Sequence, residues 1–344
     1  MSPAAAAATR PRVLMLGTVE VAKKAEQQLA EVADLVPLTA KSRQEFLQDA
    51  RSGKFDGCVA AYKTFFSTNI TGLIDQEIAE ALPKEFRFIS IHGAGYDYID
   101  VNACSARQPP IYVSNTPGAV DDATADCNMF LIIGALRNFN TSILSLREGK
   151  WRGNPKPAYG HDPQGKTLGI LGMGGIGRNL KRKAEAFGMK VIYHNRRKLS
   201  DELADNAEYV SFDELLARSD VLSLNLPLNA NTRHIIGPKE FEKMKDGIVI
   251  VNTARGAVMD EDALVKALDS GKVLSAGLDV FEEEPKVHPG LLKNPRVLLV
   301  PHMGTFSIET QEKMEALALN NVRSAVLEKK LLTPVPEHKD MVYS

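Results

Sequence analysis

Cysteine is scarce in this chain of 344 residues, with Cys58, Cys104 and Cys127 as the whole complement. The three show no metal-ligand spacing and cannot all pair, so they read as packing residues in a reducing compartment. Long apolar runs are missing as well. None approaches the ~18 residues of a membrane span, which points to a soluble, cytoplasmic protein with no membrane partner. Net charge is almost absent: 42 basic and 43 acidic residues leave −1. No large field gathers nucleic acid, so any basic recognition is local. Low complexity is confined to the opening MSPAAAAATRP, which lacks an amphipathic repeat and reads as a disordered tail. The length suits about two domains.

What is present is a rhythm. RVLMLG, AKKAEQQLAEV, DGCVAAY, IDQEIAEAL and FRFISIHG alternate short apolar runs with helical patterns, as parallel α/β chains do. The rhythm restarts after residue 165 with KTLGILG, a helix from about Ile176 to Phe187, KVIYH, DVLSLNLP, GIVIVNTA, VLSAGLDV and VLLVPH. A long helical pattern from about Asp121 to Glu148 lies between the two sets, and EKMEALALNNVRSAVLEKK follows Met303. A chain that leaves one domain, builds a second and ends in a further long helix is expected to cross back. Two doubly wound parallel-sheet domains with a cleft between them are therefore expected. Residues 1–118 and 305–344 form a discontinuous first domain, residues 119–304 a nucleotide-binding domain, and hinges fall near 118 and 305.

Gly172, Gly174 and Gly177 fit G-x-G-x-x-G between an apolar strand and a helix, with Gly175 and Ile176 inside the turn. The first glycine permits the tight turn, the second lets backbone approach a pyrophosphate, and the third lets helix pack on strand. About 20 residues on, a chain selective for NAD carries an acid for the ribose 2′-hydroxyl. Here YHNRR places Asn195, Arg196 and Arg197 instead. Guanidinium forks hold a 2′-phosphate that a carboxylate would repel, so NADPH is expected over NADH, with NADH weaker. Asp201 follows Ser200 and reads as a first-turn residue of a helix.

Chemistry in such sheets gathers outside the carboxyl ends of the strands. Three ends carry suitable groups: Arg255 after GIVIVNTA, Glu284 shortly after the strand ending at Val280, and His302 after VLLVP. Singly, each is more often a solvated or structural group. Behind a dinucleotide motif they fit reduction of a 2-keto acid. Arg255 grips the carboxylate, His302 protonates the carbonyl oxygen, and Glu284 orients the imidazole and favours its charged form.

VNTARGAVMDEDAL, SAGLDVFEEEP and VLLVPHMGT, in that order after GMGGIG, resemble the signatures of the D-isomer-specific 2-hydroxyacid dehydrogenases over essentially the whole chain. The resemblance implies two Rossmann-like or flavodoxin-like domains, the discontinuous one binding substrate and the other NAD(P). It makes Arg255, Glu284 and His302 the catalytic set, with Asp279 on the nicotinamide carboxamide. Thr124 lies at the cofactor phosphates, Pro227 and Thr232 line the adenosine side, and Thr253 and Ala254 border the cofactor. Gly93, Ala94 and Gly95 in HGAGYD resemble the loop whose N–H groups hold the substrate carboxylate, beside Arg255 and His302. The branch is similar to NADPH-dependent glyoxylate and hydroxypyruvate reductases and to fungal D-mandelate dehydrogenases. The expected substrate is thus a small 2-keto or 2-hydroxy acid. A homodimer is implied through the segment around Trp151. Tyr62, Phe65, Phe66 and Phe306 are either core or the wall of a larger substrate pocket. Alternatives on the same scaffold are a phosphoglycerate dehydrogenase, whose longer forms need a regulatory domain, and a cofactor-sensing corepressor. Formate dehydrogenase shares the Arg and His, but Glu284 argues against it.

Overall fold

Aliphatic and β-branched runs bounded by glycine or polar residues become twelve short strands among the described residues, all joined in parallel ladders. The computed structural model describes residues 10–341, so nearly all of the expected N-terminal tail lies outside the described residues. The chain divides into two compact units, Met1–Val120 with Ser307–Ser344, and Asp121–Phe306.

Unit 1 carries β1 (Arg12–Leu16), β2 (Asp34–Pro37), β3 (Cys58–Thr64), β4 (Phe88–His92) and β5 (Tyr112–Ser114), in the spatial order β2-β1-β3-β4-β5. Successive side chains point to opposite faces, which separates two apolar layers. Leu14, Ala61 and Ile89 pack with Phe46, Ile78 and Phe86 on one side. Val13, Tyr62 and Phe88 pack with Leu29, Leu319 and Val322 on the other. The last three come from helices Lys23–Ala30 and Ile308–Glu328. Helix Lys23–Ala30 has no side-chain cap of its own. The buried carboxylate of Glu315 supplies one from the far end of the chain, accepting N–H bonds from Glu20 at 2.7 Å, Val21 at 2.8 Å and Ala22 at 2.7 Å.

Unit 2 carries β6 (Thr167–Leu171), β7 (Lys190–His194), β8 (Glu208–Tyr209), β9 (Val221–Leu224), β10 (Ile248–Asn252), β11 (Val273–Leu278) and β12 (Val297–Leu299). Their order is β12-β11-β10-β9-β6-β7-β8. The winding reverses beside β6, the place where such sheets bind ligands. The expected helix over 121–148 is in fact two, Asp121–Leu136 and Phe139–Arg147, bent by 79°. Asn138 breaks it at φ 51°, and its side chain accepts a 2.7 Å bond from Thr141. Asn140 then ties the second helix to the Pro295 and Val297 carbonyls, both at 3.0 Å. Among the described residues no single helix is long and apolar enough to cross a membrane. The three thiols are free, Cys58 and Cys104 buried and Cys127 half-buried.

Candidate active site

The glycine loop closes β6 and opens helix Gly175–Ala186. Gly172 sits at φ 96°, and a Cβ there would meet the Asn225 carbonyl oxygen at 2.7 Å. A Cβ on Gly177 would meet the Gly172 carbonyl oxygen at 2.8 Å, so helix and strand touch there. Gly174 differs from both. Its φ is −84°, open to any residue, and a Cβ would have no neighbour within 4 Å. Nothing among the described residues requires glycine at 174, whereas close approach of a ligand would. The first-turn N–H groups of the helix, from Gly175 to Gly177, face that space with no side-chain cap. These features fit a dinucleotide pyrophosphate.

Asn195 turns inward at the end of β7, its side-chain oxygen accepting the Met173 N–H at 2.6 Å. It therefore braces the glycine loop from below. Arg196 and Arg197 are exposed and, among the described residues, form no ion pair, so both guanidinium groups remain available to a phosphate. Asp201 lies in the first turn of a short helix that Ser200 caps. Pro227 and Thr232 are joined, the Thr232 hydroxyl donating to the Pro227 carbonyl at 2.6 Å.

Arg255, Glu284 and His302 follow three adjacent strands, β10, β11 and β12. Asn252 shapes the first turn: its side chain accepts the Ala254 N–H at 3.0 Å and donates to the Arg255 carbonyl at 2.8 Å. Gly256 lets that turn lie on the next one, since a Cβ there would fall 1.9 Å from the Phe281 carbonyl carbon. Glu284 receives the Phe281 N–H at 2.9 Å on Oε1 and pairs with His302 Nδ1 at 2.8 Å through Oε2. Burial opposes its charge. The bond to His302, the imidazole charge, the Phe281 N–H and the Arg255 guanidinium together outweigh burial and hold the carboxyl below its usual range. His302 adopts φ 56°, a left-handed conformation that costs a non-glycine residue about 1–3 kcal/mol. Its N–H is held by the Asp279 carbonyl at 2.8 Å.

Asp279 is buried, and its carboxylate accepts the N–H groups of Met303 and, at 2.9 Å, Gly304. Burial pushes this carboxyl above its ordinary value despite those bonds. Thr124 is also buried here, and a Cβ on Gly304 would lie 3.5 Å from its methyl carbon. Thr253 joins a buried set that sequence reasoning missed. Asn128 donates to its hydroxyl and to that of Ser223, both at 2.9 Å. Unit 2 thus brings together Thr124, Asp279, Arg255, Glu284 and His302 on one edge.

Gly93, Ala94 and Gly95 belong to unit 1, after β4. Asn115 fixes the loop by donating to the Ala94 carbonyl at 2.7 Å, and the Thr116 hydroxyl accepts the Gly93 N–H at 3.1 Å. The N–H groups of Ala94 and Gly95 donate to no acceptor among the described residues. Tyr62 is core, Phe65 is half-buried against Tyr98, and Phe66 and Phe306 are exposed at 75% and 70%. Trp151 belongs to no buried cluster among the described residues, being 70% exposed at φ 53°.

A doubly wound sheet with such a loop, and an acid–base pair beside it, marks a dinucleotide-binding enzyme of the oxidoreductase class. The family model for the D-isomer specific 2-hydroxyacid dehydrogenase NAD binding domain matches residues 129–304, and the chain belongs to that family. It is 55% identical to 4-methyl-2-oxopentanoate reductase A of Aspergillus oryzae over 331 residues, covering 96% of this chain and 99% of that one. The crystal structure of a glyoxylate reductase from Paecilomyes thermophila superposes with a TM-score of 0.93 at 55% identity, covering 96% and 100%. Holo D-mandelate dehydrogenase of Rhodotorula graminis gives 0.89 at 33%, covering 95% and 98%. An NADPH-dependent glyoxylate/hydroxypyruvate reductase of Sinorhizobium meliloti, solved with NADP and malonate, gives 0.83 at 28%, covering 96% and 98%.

Proposed function

We propose that this protein is an NADPH-dependent reductase of small 2-oxo acids, forming the D-2-hydroxy acid from glyoxylate, hydroxypyruvate or a bulkier 2-oxo acid such as an aryl-glyoxylate. The observation that carries the reading is the 2.8 Å pair between Glu284 and His302 beside the charge of Arg255. Bound NADPH supplies the hydride. Arg255 holds the substrate carboxylate and polarises the neighbouring carbonyl; in unit 1, the N–H groups of Ala94 and Gly95 are donors of the kind a carboxylate takes. Glu284, ionised, accepts Nδ1–H of His302, so the proton exchanged with substrate is the one on Nε2. That proton reaches the carbonyl oxygen as the alkoxide develops, and it returns to His302 in the oxidative direction.

Arg196 and Arg197 hold the 2′-phosphate. The NADP found in the Sinorhizobium relative supports this, as its malonate supports a carboxylate site. The 4-methyl-2-oxopentanoate reductase similarity favours room for an apolar side chain. We assign a homodimer on helix Phe139–Arg147, none of whose residues is buried. Its Ile143, Leu144 and Leu146, with Trp151, make an exposed apolar patch. The free thiols support a cytoplasmic location.

Initial rates with glyoxylate, hydroxypyruvate, phenylglyoxylate and 4-methyl-2-oxopentanoate, each with NADPH and NADH, test the reading. Turnover preferring NADPH is expected, and replacing Arg196 and Arg197 by Ala should erase the preference. Binding of NADPH without turnover of any oxo acid would overturn it and favour a corepressor-like sensor.

A further inference from the structure

Lys63 lies near the carboxyl end of β3 with none of its surface exposed. Lysine is almost never fully enclosed without an acid to pair with. This one has no carboxylate partner among the described residues. Its Nζ donates to the Ser67 hydroxyl at 2.9 Å and the Thr68 hydroxyl at 3.1 Å, and stands 5.0 Å from the centre of the Tyr98 ring. Two hydroxyl dipoles and one aromatic face stabilise a cation far less than an anion does.

The nearest place for an anion is the loop after the neighbouring strand. Lys63 is in register with Ile91, and Ala94 lies three residues further along, no more than about 10 Å of chain beyond Ile91. Tyr98 bridges the two, because a Cβ on Gly93 would come within 3.6 Å of the Tyr98 hydroxyl while the ring of Tyr98 faces the ammonium. One side therefore offers two N–H donors awaiting an acceptor, and the other a buried cation awaiting a countercharge.

We propose that Lys63 is the charge partner of a carboxylate held on the Ala94 and Gly95 N–H groups, taking a proton from solvent when the oxo acid binds. The inference rests on the reading of Gly93 to Gly95 as the substrate loop. Burial alone draws the ammonium down to about 7, so near neutrality the group is poised between its two forms. Other titratable groups nearby do not compete for it. His92, Tyr62 and Glu315 belong to the opposite face of the sheet, where Tyr62 and His92 pack at 6.2 Å. Arg43, Asp75 and Glu77 pair with one another beyond the end of helix Thr68–Thr71. Asp97 is exposed, Asp100 caps the next helix, and Arg12 opens β1 at the opposite end of the sheet. Two unit charges at such a separation, in a protein interior, change binding on the order of tenfold.

Lys63→Met keeps the length and removes the charge, while Lys63→Arg keeps a charge that does not titrate. With NADPH saturating, the Met variant should raise the KM for glyoxylate on the order of tenfold at pH 6, with a smaller change in kcat. The difference from the parent should vanish above about pH 9, and the Arg variant should restore a low KM across the range. Oxamate binding to the full chain, followed by calorimetry in buffers of different ionisation heat near pH 7.5, should show proton uptake that the Met variant lacks. Uptake elsewhere is common to both proteins and cancels. Equal KM profiles with equal proton uptake would overturn the role of Lys63. Oxamate that binds with the expected uptake while no oxo acid turns over would sink the reductase reading and leave Lys63 standing. Absence of oxamate binding would overturn both.

Discussion

The carboxyl edges of the two sheets solve the problem of enclosed charge in opposite ways. In unit 2 the groups come in pairs: Glu284 holds His302, Asp279 holds two N–H groups, and Asn252 holds both ends of the Arg255 turn. In unit 1 the edge offers unpaired backbone donors and a lone buried cation, Lys63. Paired groups keep fixed geometry in every state of the molecule, which suits an acid–base centre. Unpaired ones gain most from an arriving anion, which suits recognition. On the proposed reading, the acid–base pair sits on the pre-satisfied edge of unit 2, and the N–H donors for a carboxylate sit on the unsatisfied edge of unit 1.

The sharpest way to break this contrast is His302→Ala. Turnover should fall about 10²–10⁴-fold with NADPH affinity nearly intact, as measured by steady-state kinetics and fluorescence titration. Unchanged turnover would take the chemistry away from the paired edge.

A second test separates glycines the fold needs from one that a ligand needs. Gly256→Ala places a methyl group 1.9 Å from the Phe281 carbonyl carbon, so the Arg255 turn must move. Stability should drop by about 1–3 kcal/mol and activity with it. Gly174→Ala meets open space, so its melting temperature should hold while dinucleotide binding weakens about tenfold or more. A cofactor that binds the Gly174 variant as tightly as the parent would move the pyrophosphate elsewhere.

A third test concerns pH and stability, where both edges gain stability as the pH rises but in different windows. Glu284, with its carboxyl lowered, adds stability that is present above its unfolded value and lost as the pH falls through the folded one. Lys63 is also lowered, but as a base: between about 7 and 10.5 the unfolded chain binds the extra proton, so stability rises with pH across that window. Lys63→Met should therefore be more stable than the parent near pH 7, on the order of 2 kcal/mol, with the gain gone by pH 10.5. Urea unfolding at a series of pH values measures this. A gain independent of pH would mean improved packing rather than relief of a charge.

Much of unit 2 was legible because its signals are local. G-x-G-x-x-G sits within six residues, and Arg255, Glu284 and His302 each stand a few residues past an apolar run. The features that were not legible depend on partners distant in sequence. Asn128 reads as an ordinary helix residue until it meets Ser223 and Thr253. Asn195 stands beside two arginines in sequence, yet its amide oxygen turns to Met173. The break at Asn138 was hidden because apolar periodicity runs through it, while the bonds that accompany the turn reach to the Pro295 and Val297 carbonyls. Lys63 gave no sign because one lysine between apolar residues looks like a strand reaching solvent.

The clasp of Glu315 on residues 20–22 also sets an order of assembly during synthesis. Unit 2 is one uninterrupted stretch and can close as soon as it clears the ribosome. Unit 1 begins earlier but must wait, its first helix uncapped and its β3–β4 face uncovered, until the last helix emerges. At about 5–20 residues per second, nearly three hundred residues separate the donors from their acceptor, an interval of roughly 15–60 s. The part of the chain made first is therefore finished last, and for that interval it is the natural client of a chaperone.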